Sequence, residues 1–428
     1  MEPGRFPPAR FDRKGRRDPC LFLCLAIMFW ESEVSRLETR AIHAGASHSA
    51  VGDPVLNILS PATSFYSHPD AVGFSANDLG DQAPYFYTRW SNPTTDLLAE
   101  RLAALEGGEA GLTFSSGMAA ISSLFLNRLR CGDHVIVSNV CYAGVAELAR
   151  DILPKYGIRS TAVDTSDLAA IEAALRPETR LIHIETPANP ILKLSDIAAI
   201  AALAHANGVE CSVDSTMATP VATTPLALGA DFVVHSLTKY IGGHSDALGG
   251  AIIGRKADLD AIQKEGLIHF GATLNPFAAW LILRGMETLP LRMKAHEANA
   301  GAVAAFLAAH PRVEQTYWPG LASHPQHELA RRQMRNFSGM VSFSAKNGAA
   351  LARQLAERVE VFSYAVSLGK TRSLLCYVPS DDIIRSSFGL EGRDAENYRA
   401  WTGDGTFRLS VGLEAPEDLI ADLERALD

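Results

Sequence analysis

The sequence predicts an α/β fold: a mostly parallel seven-stranded sheet with helices on both faces, followed by a smaller α+β domain at the C-terminus. Three observations point to it. From Gly111 to about Gly254, seven short β-rich runs alternate with longer helical patterns, the signature of repeated βαβ units. Most of these runs are apolar throughout, as a sheet covered on both faces requires. Beyond them lie a long helical stretch and three further strand-like runs that read as a separate α+β unit.

The elements follow in order. "RKGRRDPCLFLCLAIMFW" sets a basic run before an apolar one, as signal peptides do, yet no small-residue cleavage site follows. The apolar run is shorter than the roughly 20 residues that span a bilayer, and Met28 stands just before polar, helix-friendly sequence. Residues 1–27 therefore read as an upstream extension. From about Gly45 to Pro84 there is little periodicity, so residues 1–91 are expected to form an N-terminal extension and an arm. The seven strands are expected at "GLTFS", "HVIVS", "RSTAVD", "RLIHIET", "VECSVD", "DFVVHS" and "LGGAIIG", in a domain spanning 92–290. Between two of them, "SDIAAIAALAHANG" reads as a helix capped by Ser195 and ended by Gly208 in the left-handed conformation. A helical stretch broken near Pro290 then leads to strands "MVSFSA", "SLLCYV" and "TFRLSVGLE" of a domain spanning 291–428.

Composition narrows the function. The chain has 428 residues, of which 47% are hydrophobic, enough to bury a large core. Its 39 basic and 48 acidic residues give a net charge of -9, with no long run of either sign after residue 20, so neither a nucleic-acid surface nor a membrane span is expected. A small-molecule substrate is the better expectation. Cys20, Cys24, Cys131, Cys141, Cys211 and Cys376 are scattered without a C-x-x-C pair or clustered histidines, so no metal site is expected. They read as free thiols of a cytoplasmic protein.

Ligands in open α/β sheets sit outside the C-terminal strand ends, and four loops there carry candidate chemistry. In "FSSGMAAISSLF", the N–H groups of Gly117 and Met118 would open a helix and form an anion site; an ordinary serine cap is the plainer alternative. In "SVDST", Asp214 ends a buried strand and needs a cationic or hydrogen-bonding partner, unless it is only a turn aspartate. In "VVHSLTKYIGGHSD", Lys239 lies between Thr238 and a glycine pair. The order is wrong for a G-x-x-x-x-G-K-[ST] phosphate loop. It suits a lysine amine that joins a carbonyl-bearing cofactor, with Ser236 and Thr238 donating to that cofactor's phosphate; a solvated surface lysine remains open. In "NVCYAGVAEL", Tyr142 could stack on a planar ring and move a proton, or be a core tyrosine. Phosphate donors, a buried acid and a strand-end lysine together are what pyridoxal phosphate requires.

These motifs resemble the Cys/Met-metabolism (trans-sulfuration) family of fold-type-I pyridoxal phosphate enzymes, which includes methionine γ-lyase, cystathionine γ-lyase and cystathionine γ-synthase. The likeness runs from "TRAIHAG" to "RLSVGLEAPEDLIADLERAL" and takes in "YFYTRWSNPTT", "FSSGMAAI", "IETPANP" and "HSLTKYIGGHSD" in family order. It implies pyridoxal 5'-phosphate as cofactor, Lys239 as the Schiff-base lysine, Asp214 at the pyridine nitrogen and Tyr142 stacked on the ring. It implies a phosphate cradle of Gly117, Met118, Ser236 and Thr238, and places Asn189 near the ring oxygen. Tyr87 and Arg89 match the pair that reaches a neighbouring subunit's cofactor, so a homotetramer of two site-sharing dimers is implied. Ser367, Arg372 and Arg408 fall on the substrate side, Arg408 matching the arginine that takes the α-carboxylate.

Several positions depart from the family pattern. "VDSTM", "YAGV" and "SLGKTRSLLCYVPSDDI" stand where V-D-N-T-F, Y-G-x-T and S-L-G-x-x-E-S-L-I-x-H-P-A-x-M-T-H are usual. Gly144 replaces a cysteine of methionine γ-lyases, and Arg372 replaces a substrate-side glutamate. If Arg372 faces the pocket, the distal end of the substrate is neutral or acidic; otherwise Arg372 pairs outside it with Asp381 or Asp382. The leading expectation is γ-elimination from a methionine-like or homoserine- or homocysteine-derived amino acid, giving an α-keto acid and ammonia. A γ-replacement synthase is the nearest alternative, and a non-catalytic pyridoxal-phosphate-binding protein the more distant one.

Overall fold

A computed structural model describes residues 35–45, 55–66 and 85–428. The expectations for residues 1–27, with Cys20 and Cys24, and for much of the arm lie outside the described residues. The seven anticipated strands form one sheet: β1 (Ala110–Phe114), β2 (His134–Ser138), β3 (Arg159–Val163), β4 (Thr179–Glu185), β5 (Glu210–Asp214), β6 (Phe232–Ser236) and β7 (Gly250–Gly254). Their order is β1-β7-β6-β5-β4-β2-β3. Every pairing from β6 through β3 is parallel, while β7 runs antiparallel between β1 and β6. The sheet is therefore mostly parallel, as expected.

Apolar side chains on both faces explain the continuous hydrophobic runs. Val135 and Val137 pack toward helix Gly117–Arg128, whereas Ile136 joins the core beneath helix Ile197–Ala206. Val233 and Val234 divide in the same way, Val233 meeting Leu98 and Leu102 of helix Pro93–Glu106. Each such buried side chain contributes about 1.5–3 kcal/mol relative to exposure.

The helix ends mostly follow the sequence. Ser116 caps its helix by accepting from the Ala119 N–H at 3.1 Å. Gly208, with φ of +67°, ends helix Ile197–Ala206 as anticipated. Its cap, however, is Asp196 and not Ser195: the Asp196 carboxylate accepts from the Ala199 N–H at 3.1 Å. The Ser195 hydroxyl is turned to Thr165 at 2.9 Å.

The later helical stretch breaks at Thr288 into Pro276–Glu287 and Leu289–Ala309, with Pro290 in the first turn, where a missing N–H removes no helical bond. Helix Leu289–Ala309 joins the two cores, with Met293 in the first and Ala300, Val303 and Leu307 in the second. The second core lies on a five-stranded sheet of β8 (Val313–Tyr317), β9 (Met340–Ala345), β10 (Ser363–Tyr364), β11 (Leu374–Pro379) and β12 (Gly405–Ser410), ordered β10-β11-β12-β9-β8. The three expected C-terminal runs supply β9, β11 and β12. Helices Gly348–Arg358 and Pro416–Leu427 cover Phe343, Leu375 and Phe407. Among the described residues no helix is long and apolar enough to cross a membrane.

Candidate active site

The C-terminal ends of the central strands converge on two buried acids. Asp214 ends β5, and in the ladder its neighbours are Glu185 of β4 and Val234 of β6. Its Oδ1 accepts from the Thr216 N–H at 3.0 Å, and Thr216 Oγ1 accepts from the Ser236 N–H at 2.8 Å. Burial pushes the Asp214 carboxyl above its usual range, against the pull of Thr216 and His235. Such an acid calls for a cationic or protonated partner.

Glu185 was not singled out from the sequence, although it ends an apolar strand just as Asp214 does. One oxygen accepts from the backbone N–H of Tyr142 at 2.7 Å and the other from that of Asn189 at 2.7 Å. One carboxyl thus fixes the loops after β2 and β4. Burial, then the nearby Asp214, pushes it up to about 8.

Beside these acids is a space shaped by glycine. Gly117 and Met118 open their helix before any intrahelical acceptor is available. A Cβ at Gly117 would lie 3.0 Å from Ser236 Cβ and 3.2 Å from Ser236 Oγ, so a side chain there would fill the gap between the helix start and the serine. Thr238 Oγ1 bonds both the N–H and the carbonyl of Gly249, at 3.2 and 3.3 Å. Tyr142 is half-exposed at the rim. A Cβ at Gly144 would approach its Cε1 to 2.9 Å and Met118 Sδ to 3.0 Å.

Lys239 joins this cluster to the second sheet. Its Nζ donates to Ser367 Oγ at 3.0 Å, and burial, with Arg408 and Lys370 nearby, pushes the amine below its usual range. Ser367, held at φ of +85°, accepts at its carbonyl from Arg408 Nη2 at 2.9 Å. Arg408 lies on β12, and its Nη1 donates to Asn189 Oδ1 at 2.8 Å, while its buried Nε has no partner among the described residues. A guanidinium with an unsatisfied buried donor is suited to a carboxylate.

Three expected residues stand apart. Arg89 donates to the Ile268 carbonyl of the π-helical segment Gln263–His269 and lies 5.5 Å from the Tyr87 ring centre; no described bond joins either residue to the Lys239 cluster. Arg372 is exposed, with no ion pair or hydrogen bond among the described residues. Asp381 pairs instead with Arg385 and Arg399, and among the described residues no ion pair joins Arg372 to Asp381 or Asp382. No group of three His, Cys, Asp or Glu among the described residues is placed to hold a metal.

The donor set fits pyridoxal phosphate. The helix start and Ser236 suit a phosphate, Asp214 suits a protonated ring nitrogen, and the lysine amine suits an aldehyde.

Comparison with known proteins agrees. The profile of the Cys/Met metabolism PLP-dependent enzyme family matches residues 38–428. A canavanine gamma-lyase of Pseudomonas canavaninivorans is 42% identical over 408 residues, covering 91% of this chain and 96% of its own. An L-methionine gamma-lyase of Pseudomonas putida is 42% identical over 401 residues, covering 94% and 99%. The crystal structure of cystathionine gamma-lyase from Lactobacillus plantarum complexed with L-serine superposes with a TM-score of 0.81 at 38% identity, covering 92% and 98%. The fold-type-I expectation holds, and with it the cofactor: the chain belongs to the Cys/Met metabolism family of pyridoxal-phosphate-dependent enzymes.

Proposed function

We propose that this enzyme eliminates the γ-substituent of a methionine-like or homoserine- or homocysteine-derived amino acid, releasing an α-keto acid and ammonia. The observation that supports this reading is the bonded series Lys239–Ser367–Arg408–Asn189, which joins the residues proposed as base, carboxylate clamp and ring contact.

When bound, pyridoxal phosphate supplies the electron sink that makes loss of a Cα proton feasible. Gly117, Met118, Ser236 and Thr238 would hold its phosphate, Asp214 would keep the ring nitrogen protonated, and Tyr142 would cover the ring. Arg408 orients the substrate through its α-carboxylate, using donors that Asn189 and Ser367 leave free. Lys239 would anchor the cofactor covalently and, once the substrate amine has displaced it, would act as a free amine that takes the Cα proton and then a proton from Cβ, so that the γ-substituent can leave. Its lowered proton affinity favours the neutral amine that this step needs. Tyr142 protonates the departing γ-group.

Tyr87 and Arg89 serve a neighbouring subunit's phosphate, which accords with their separation from the Lys239 cluster of their own chain. The working assembly is then a homotetramer of site-sharing dimers. The enzyme works in the cytoplasm, in keeping with four free described cysteines. Exposed Arg372 selects a neutral or acidic distal group, which also accommodates γ-replacement of an activated homoserine by a thiol.

Measuring α-keto acid release with and without added thiol separates these readings. Thiol-independent release is expected from the wild type. Product formed only with thiol would make the enzyme a synthase, and no product with any candidate substrate would leave a binding protein. Lys239→Ala is expected to lose turnover and the absorbance of the lysine-linked cofactor; an unchanged spectrum would remove Lys239 from its role.

A further inference from the structure

Arg292 is a buried charge that the chemistry above does not use. Only 6% of it is exposed, and no carboxylate pairs with it among the described residues. Burial pushes its guanidinium down to about 10. A buried cation without a counter-ion is costly unless its donors are well satisfied.

Both terminal nitrogens are spent on backbone oxygens at one place. Nη1 donates to the Tyr240 carbonyl at 2.7 Å, and Nη2 to those of Ile241 and Gly285 at 3.2 and 2.7 Å. Nε donates to Thr288 Oγ1 at 3.0 Å. Tyr240 and Ile241 directly follow Lys239, and Gly285 lies in the last turn of helix Pro276–Glu287, the negative end of that helix.

The glycines of "YIGGHSD" are shaped around this contact. Gly243 has φ of +74°, and a Cβ there would lie 2.2 Å from Arg292 Nη1; a Cβ at Gly285 would lie 2.1 Å from the Gly242 carbonyl. Gly243 also links both sides of the site. Its N–H donates to the Lys239 carbonyl at 2.7 Å, and its carbonyl accepts from the Thr371 N–H at 3.2 Å. Thr371 belongs to the segment whose Ser367 receives Lys239 Nζ.

We propose that Arg292 is the positioning residue for Lys239. It clamps the 239–243 turn to the end of helix Pro276–Glu287 and, through Gly243, to the Ser367 segment, so that Nζ is held where cofactor attachment and proton transfer both need it. The inference rests on Lys239 being the covalent anchor. A lysine at 292 keeps the charge but, as a compact ammonium, cannot bridge carbonyls on two elements as the planar fork does.

The test uses full-length Arg292→Lys, with Arg335→Lys as control. Arg335 also donates to a carbonyl, that of Pro220 at 2.7 Å, but from the surface. The readouts are the rate at which added pyridoxal phosphate becomes attached to Lys239, followed by absorbance and by borohydride trapping with peptide mapping, together with kcat, KM and the thermal midpoint. Misplacing a reacting group by about 1 Å costs on the order of 10²-fold. Attachment and kcat should fall by about that factor in Arg292→Lys, with KM within about twofold, because substrate binding is left to other groups. Arg335→Lys should match the wild type.

Wild-type attachment and kcat in Arg292→Lys, or losses only in proportion to the unfolded fraction, would overturn the proposal. Should that variant not fold, Gly243→Ala, whose Cβ would fall 2.2 Å from Arg292 Nη1 and displace the guanidinium, gives the same readout with the same expected loss, and wild-type attachment there overturns it equally. Lys239→Ala separates the premises. Attachment persisting in Lys239→Ala defeats the anchor assignment itself, whereas its loss there alongside a silent Arg292→Lys defeats Arg292 alone.

Discussion

Replacing Glu185 by Gln should slow the enzyme while leaving its fold in place. The two Glu185 oxygens each accept one backbone N–H at 2.7 Å, from Tyr142 and Asn189. Glutamine keeps one acceptor and puts an NH2 group at the other, where donor would face donor. One N–H left unpaired costs about 1–3 kcal/mol. If that cost falls wholly on the transition state, kcat drops by about 5- to 160-fold. The pH dependence gives a second readout. Glu185 holds its proton up to about 8 in the folded protein, against the usual 4.5. Between those values the folded state binds a proton that the unfolded state has released, so stability falls as pH rises across the window. Glutamine removes that contribution and leaves the one from Asp214. Thermal midpoints of the cofactor-free protein at roughly pH 5 and 8 should therefore lie closer together in Glu185→Gln than in the wild type, alongside the loss in kcat. Wild-type turnover with an unchanged pH slope would show that the carboxyl positions nothing.

Two further outcomes follow from the site. Gly117→Ala puts a Cβ 3.0 Å from Ser236 Cβ and should weaken cofactor retention about tenfold, or about 1.4 kcal/mol, as read by dialysis and reconstitution; undiminished retention would argue against the cradle. Arg372→Glu should shift relative turnover toward cystathionine, with its distal ammonium, and away from O-succinylhomoserine by about tenfold, on the order of one desolvated charge contact. Identical profiles for cystathionine, methionine and acylated homoserines would remove Arg372 from specificity.

Much of this was legible because strand-end chemistry is local. Lys239, Asp214 and the Ser116–Met118 turn each follow a recognisable apolar run, and Ser116 and Gly208 cap helices through bonds to near neighbours. What escaped depends on partners far along the chain. Glu185 is defined by Tyr142, 43 residues away, and Arg292 by Tyr240, 52 away; in sequence one is an acid after a strand and the other a helical arginine. Ser195 was misjudged as a cap because two adjacent residues can both cap, and the choice fell to Asp196 once Thr165 engaged the Ser195 hydroxyl. β8 and β10 escaped for lack of signal: "VEQTY" is half-polar, and β10 is two residues long.

The reversed direction of β7 makes the lysine's loop self-locating. Gly250 opens β7 opposite both Phe114 and Ser236, so residues 237–249 leave and rejoin the sheet at one edge. A parallel strand would have needed a crossover to the far edge, taking the chain after Lys239 away from the site. The loop is instead zipped shut at its mouth, and Gly250 acts as a register key, since a Cβ there would fall 2.0 Å from the Ser116 carbonyl oxygen. Slipping β7 by one residue toward its N-terminal end would bring Ala251 into that slot, and the collision bars it. The ladder thereby dictates how far along the chain Lys239 stands from the phosphate cradle, whatever sequence fills the rest of the loop.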